Sequence, residues 1–241
     1  MQNNIGMNKN TNIQYNVKIN NNGEYRNFYG WTVISMVEND LKFIENYISK
    51  HNTLSKYFSA LPSSSYHMTI YNLWCNGKHF LPHQKKIIEQ NFPKEKIKDL
   101  ENESKIGFFN PNGCINDLLY RLHFECQQNT FDKCTLTIKQ IGYNGSTISI
   151  AFDQKLSVFE SINTGRNNIT KICGENDDMG RYHITLAYRY ADLDQATLNV
   201  INHEMYILNI LLADQTITID KPSVRSFSDM TKFVPFEESL K

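Results

Sequence analysis

Two short phrases in the sequence carry residues suited to proton transfer: Tyr66-His67-Met68-Thr69-Ile70 and Tyr182-His183-Ile184-Thr185-Leu186. An imidazole titrates near neutrality, so of two histidines facing one pocket one can be neutral and the other protonated at physiological pH. That pair supplies a base for the attacking hydroxyl or water and an acid for the leaving oxygen, the two transfers that cleavage of a phosphodiester needs. Each transfer typically contributes about 10²- to 10⁴-fold. Thr69 and Thr185 add hydroxyl donors for the non-bridging oxygens, where negative charge builds. No metal and no cofactor are called for by this scheme. A chain with seven His contains about 0.4 His-x-Thr matches by chance, so one copy means little. Agreement of two copies in the preceding Tyr and in both apolar positions is a coincidence of roughly one in a thousand or less.

Both phrases read as half-buried strands. Side chains alternate between the faces of a strand, which sets His67 and Thr69 against Tyr66, Met68 and Ile70, and His183 and Thr185 against Tyr182, Ile184, Leu186 and Tyr188. Continued alternation adds Ser65 and Tyr71 to the histidine face of the first copy, and Arg181 and Arg189 to that of the second. Arg181 or Arg189 would clamp a phosphate and Tyr71 would stack on a base. A solvated Arg and a core-edge Tyr are the alternatives, of equal weight. Tyr66 and Tyr182 point away from the histidines into the core. His79 and His83 have metal-ligand spacing, but Pro82 interrupts the helix that would align them and no further ligand follows. Lys85, Lys86, Lys94, Lys96 and Lys98 read as a solvated face, with guidance of an anionic substrate as the rival.

Of the 241 residues, 40% are hydrophobic and 12% aromatic, enough for a core of its own. With 25 basic and 25 acidic residues the formal charge is zero, which argues against a protein that grips long duplex nucleic acid through its phosphates. A small nucleotide, a cyclic phosphate or a short oligonucleotide fits better, bound by a monomer. Five Cys without Cys-x-x-Cys spacing signal neither a disulfide framework nor a zinc site. No signal-peptide pattern and no membrane-length apolar run is present, so the expectation is a soluble cytoplasmic protein.

Residues 1–22 are rich in Asn and read as a mobile tail, leaving 23–241 as one domain. A β-branched run over Trp31–Val37 predicts the first strand, and Asn39-Asp40 offers a cap for a helix whose apolar spacing runs from Leu41 through Leu54, Tyr57 and Phe58. After the first His-x-Thr strand come an expected helix over Gln84–Phe92, a turn-rich connection over 94–112, and a helix over Ile115–Gln128. Thr135–Ile141 and Thr147–Phe152 form a hairpin through Asn144-Gly145. A helix over Leu156–Thr170, the second His-x-Thr strand, a helix over Leu193–Leu212 and strands at Thr216–Ile219 and Val224–Ser228 complete the chain. Each His-x-Thr strand thus has its own strands and helices, which predicts an α+β protein of two similar lobes.

The stretches Leu61-Pro62-Ser63-Ser64-Ser65-Tyr66-His67-Met68-Thr69 and Arg181-Tyr182-His183-Ile184-Thr185-Leu186-Ala187-Tyr188 resemble the 2H phosphoesterases, the LigT-like group with two His-x-Ser/Thr motifs. The resemblance extends to the strand around Trp31-Thr32-Val33 and to Asp229-Met230. It implies a bilobal, pseudo-symmetric fold of two antiparallel sheets flanked by helices, with the motifs facing each other across a central groove. It also implies metal-independent action on 2′,3′-cyclic phosphates or 2′-5′ phosphodiesters, with His67, Thr69, His183 and Thr185 as functional residues; hydrolysis, transesterification and ligation all occur in the group. Here 116 residues (183 − 67) separate the motif histidines, more than in the smallest members. The rival class is a non-catalytic module that keeps the groove to bind a nucleotide or RNA end.

Overall fold

The β-branched and apolar runs become strands, in a computed structural model that describes residues 18–75, 114–174, 181–213 and 215–239. The strands are β1 (Gly30–Met36), β2 (Phe58–Ala60), β3 (His67–Cys75), β4 (Cys134–Tyr143), β5 (Thr147–Phe152), β6 (His183–Arg189), β7 (Thr216–Ile219), β8 (Ser223–Asp229) and β9 (Lys232–Pro235). The helices are α1 (Lys42–Lys50), α2 (Cys114–Asn129), α3 (Val158–Cys173), α4 (Gln195–Leu211) and the single turn α5 (Phe236–Ser239). None of the described helices is long and apolar enough to cross a membrane. The helix expected over Gln84–Phe92, the connection over 94–112, His79, His83 and the lysines from Lys85 to Lys98 lie outside the described residues.

Two local expectations are corrected. The helical spacing through Leu54, Tyr57 and Phe58 does not extend α1. His51 is extended, with ψ of 129°, and its Nδ1 accepts the N–H groups of Thr53 and Leu54 at 3.2 Å each. The diverted backbone makes a 3₁₀ turn over Leu54–Lys56 and then pairs as β2. Residues 18–22, inside the stretch read as a tail, are structured: Ile19 is buried and bridges Tyr25.

The sheet runs β7-β4-β5-β6-β3-β1-β8-β9, with β2 added on β6, and its pairings are antiparallel. The two His-x-Thr strands, β3 and β6, are therefore neighbours at its centre, each leading outward to three more strands along the order. The halves meet at the pair Met68 and Ile184. They touch again where Val37, just past β1, bridges Ile219 of β7, which curls the sheet. α3 buries Phe159, Ile162, Ile169 and Ile172, a helical stripe, and packs on β3 and α2; α4 packs on β4 and α1 on β2 and β6. Tyr47 of α1 donates to buried Glu204 of α4 at 2.5 Å, joining the two helices of the β4–β6 half.

Gly145 closes the β4–β5 hairpin at φ of 96°, with open space where a Cβ would stand. Gly142 has no such φ, and a Cβ there would meet only the Gln140 side chain at 3.9 Å, an ordinary contact. Gly145→Ala is thus expected to lose about 1–2 kcal/mol of stability from backbone strain alone. Gly142→Ala should stay within about 0.5 kcal/mol, both measured by urea unfolding.

Candidate active site

The pairing of Met68 with Ile184 places four side chains together. In that register His67 stands opposite Thr185 and Thr69 opposite His183. All four point to the face away from Met68 and Ile184, which are wholly buried. The two histidines are diagonal neighbours, a relation that separates residues by roughly 7–8 Å on adjacent antiparallel strands. They stand side by side on one surface of the curled sheet. Tyr66 and Tyr182 are buried on the opposite side, and Tyr182 donates its hydroxyl to Asn163 of α3 at 2.9 Å.

Each imidazole is oriented by the same local device. His67 Nδ1 lies 2.8 Å from the carbonyl oxygen of Ser65, and His183 Nδ1 lies 2.8 Å from that of Arg181. A carbonyl only accepts, so Nδ1 carries the proton in both rings and Nε2 is the atom presented outward. The environments differ. His183 is exposed, whereas His67 is packed edge-on to Phe233 of β9, ring centroids 4.3 Å apart. Burial pushes the His67 pKa down to about 4, against the hydrogen bond to Ser65 and helped by the positive charges of Lys18, His183 and Arg225.

Beyond the threonines, strand alternation breaks. Ile34 pairs with Thr69 but Val33 pairs with Tyr71, so Ile70 is an extra residue on β3. Ser149 pairs with Thr185 but Ile148 pairs with Ala187, so Leu186 is an extra residue on β6. Each motif strand thus carries a β-bulge one residue after its Thr, and a bulge re-aims every side chain that follows. Tyr71, expected to stack on a base, is turned to the back and wholly buried, and its hydroxyl donates to the carbonyl of Gly174 at 2.8 Å. Arg189, expected as a phosphate clamp, is turned to the back as well, where its guanidinium donates to the Tyr143 hydroxyl at 3.0 Å. Arg181 precedes the bulge and stays exposed two residues before β6.

The same bulge brings forward a side chain that simple alternation assigns to the core. Tyr188 faces the histidine side and its hydroxyl receives a hydrogen bond from Lys18 Nζ at 3.1 Å. Arg225 of β8 also stands on this side, held to Asp220 at 3.5 Å and to the Ser223 hydroxyl at 3.0 Å. Lys18, Tyr188, Arg225 and Phe233 are the site residues that sequence reasoning missed. The bulge leaves no mark in a two-residue period, and Lys18 sits in a stretch whose composition points to disorder.

Residues 18–112 match a family model described as "2H-phosphodiest: Domain of unknown function (DUF1868)", a segment that contains the first His-x-Thr strand. Over 238 residues the chain is 25% identical to "Uncharacterized protein 127L" of Invertebrate iridescent virus 6, covering 92% of this chain and 95% of the viral protein. Among solved structures, the conserved protein of unknown function ATU0111 from Agrobacterium tumefaciens str. C58 shares the fold, with a TM-score of 0.61 at 16% identity over 91% of this chain and 89% of that one. Usb1 of Kluyveromyces marxianus is more distant, at a TM-score of 0.41 and 7% identity over 88% of this chain and 99% of that one.

Two predictions follow from this geometry. Tyr71→Phe deletes a buried hydroxyl bond on the far side of the sheet, so it should cost about 1 kcal/mol of stability and leave KM for any phosphodiester within about twofold of wild type. The second concerns pH. His67 titrates at about 4 in the folded chain and near 6.5 when unfolded. Between those values the unfolded chain binds more protons, so this stabilisation is complete above about pH 6.5 and is lost as pH falls toward 4. From about pH 7.5 to about pH 5 wild type should lose up to about 2 kcal/mol that His67→Asn does not lose, read as the difference in thermal melting shift.

Proposed function

We propose that the chain is a 2H phosphoesterase, a metal-independent phosphodiesterase that cleaves 2′,3′-cyclic phosphate or 2′-5′ phosphodiester bonds of nucleotides or RNA ends; the family model matched by residues 18–112 supports this reading. The observation that carries this reading is the His67–Thr69–His183–Thr185 quartet on one face, with both Nδ1 atoms tied to backbone carbonyls. Nothing in a binding module needs two imidazoles held with Nε2 outward. We assign the roles from their surroundings. His67, neutral at physiological pH because burial lowers its pKa to about 4, is the base, and exposed His183 is the acid.

In this reading the phosphodiester lies over the quartet. His67 Nε2 takes a proton from a water molecule, whose oxygen forms the new bond to phosphorus. As the bond to the leaving oxygen breaks, that oxygen receives the proton from His183 Nε2. The Thr69 and Thr185 hydroxyls donate to the non-bridging oxygens, and these bonds strengthen as charge develops. A free imidazole with a pKa near 4 is a weak base, but a bound phosphate anion opposes the cations around it and raises its pKa toward working pH. Replacing water by a ribose hydroxyl turns the same steps into transesterification.

The test is turnover of a nucleoside 2′,3′-cyclic phosphate and of a 2′-5′ dinucleotide in the presence of EDTA. His67→Ala and His183→Ala should each lower kcat by roughly 10²-fold or more, and the double variant should lose little beyond the worse single one. Thr69→Val and Thr185→Val should lose less. The acid limb of the kcat/KM profile should fall well below pH 6.5 because it reports His67 in the free enzyme, while the acid limb of kcat moves up once phosphate is bound. Normal cleavage by either His→Ala protein, or activity lost to chelation and restored by zinc or manganese, would refute the assignment.

A further inference from the structure

The hairpin formed by residues 18–28 is built in detail despite its composition. Asn20 Oδ1 accepts the N–H groups of Asn22 and Glu24 at 2.9 and 3.0 Å, and Arg26 N–H donates to the Lys18 carbonyl at 2.9 Å. Gly23 turns the chain at φ of 82°, and a Cβ there would stand 3.0 Å from the Tyr190 ring. Only glycine combines that conformation with that approach. Phe28 N–H donates to the Ser228 carbonyl in β8 at 3.0 Å, and the Tyr25 hydroxyl donates to the Ser59 carbonyl in β2 at 2.8 Å. The hairpin therefore crosses from one half of the sheet to the other.

At its end stands Lys18. Its ammonium is 5.1 Å from the centroid of Tyr188 and 5.3 Å from that of Phe28, in addition to its bond to the Tyr188 hydroxyl. That hydroxyl donates in turn to Met230 Sδ at 3.7 Å, so its lone pair is left for the ammonium. Among the described residues no carboxylate pairs with Lys18. Two aromatic faces and a hydroxyl hold the cation in place without neutralising it. Its charge nonetheless reaches the site, for Lys18 comes first among the cations that disfavour protonation of His67.

We infer that Lys18, presented by the hairpin over the histidine face, binds a phosphate oxygen of the substrate, and that the hairpin forms one wall of the substrate groove. The inference rests on the phosphodiesterase reading. The phosphate is either the scissile one or a second phosphate on the same nucleotide, and both present the same anionic oxygen to the ammonium.

The experiment compares wild type with Lys18→Met, which keeps an unbranched stem over the two rings, and Lys18→Arg, which keeps the charge. Substrates are a nucleoside 2′,3′-cyclic phosphate with and without a 5′-phosphate. Lys18→Met should raise KM about tenfold or more, with a smaller fall in kcat, and Lys18→Arg should recover most of it, at unchanged melting temperature. An effect confined to the 5′-phosphorylated substrate assigns Lys18 to the second phosphate; an equal effect on both assigns it to the scissile one. Turnover with KM within about twofold of wild type on both substrates overturns the inference while leaving the phosphodiesterase reading intact. If wild type turns over neither substrate, inorganic phosphate is titrated while the His67 ring is followed by NMR. Binding at least about tenfold weaker in Lys18→Met then sustains Lys18 although the catalytic reading has failed. An equal response in the two proteins, or none, overturns it.

Discussion

The pairing of Met68 with Ile184 is the constraint on which the rest of the site depends. It is the point where the four strands on one side of the sheet join those on the other, and it alone fixes which residue of the first motif faces which residue of the second. A slip of one residue would send one histidine to the helix-covered side while the other stayed, because the side-chain period of a strand is two. Burial guards the register. Met68, Ile184 and the flanking Tyr66 and Tyr182 form a continuous apolar back to the motif, and exposing them would cost far more than the polar face could regain.

A second device keeps the two strands at a fixed offset. At each β-bulge the carbonyl of the extra residue is bound by the segment leading to the other motif. The Leu186 carbonyl accepts from Leu61 N–H at 2.8 Å, six residues before His67, while the Ile70 carbonyl accepts from Arg166 Nε at 2.9 Å. Arg166 belongs to α3, the helix that runs toward the second motif, and its guanidinium also lies 3.7 Å from the centroid of Tyr182, the residue before His183. The irregularities thus serve as cross-braces. They also re-aim the side chains that follow the quartet on both strands.

The arithmetic of alternation was sufficient for the quartet and failed beyond it. Between His67 and Thr69, and between His183 and Thr185, no bulge intervenes, so a period of two places all four side chains correctly relative to their own strand. One residue further it misplaces Tyr71, Tyr188 and Arg189 together, for a single reason. The strand runs Thr147–Phe152 and Thr216–Ile219 were legible from β-branched patterning, but β2 was not, since Phe58 continues the helical spacing of α1 and only the His51 ring diverts the backbone. The adjacency of β3 and β6 was beyond reach from sequence alone: it is a long-range pairing between residues 68 and 184, set by how two lobes close on each other. The hairpin at Lys18 was hidden by averaging, because one buried Ile and one well-placed Gly do not alter an Asn-rich composition.

The electrostatics of the site follow from where these hidden pieces fall. Lys18 and Arg225 arrive from opposite ends of the chain, and with His183 they surround an imidazole that burial already keeps neutral. Lys18 and Arg225 are the fixed cations here, Arg225 held by Asp220 at 3.5 Å, and the motif strands β3 and β6 carry no carboxylate of their own. A phosphate bound over the quartet, as proposed, would be attracted by both. In the proposed reaction, the phosphate to be cleaved would thus bring His67 toward the pKa range of a working base. A low free-state pKa at His67 is then not a defect of the base. It follows first from burial of the ring and only then from the cations that face it.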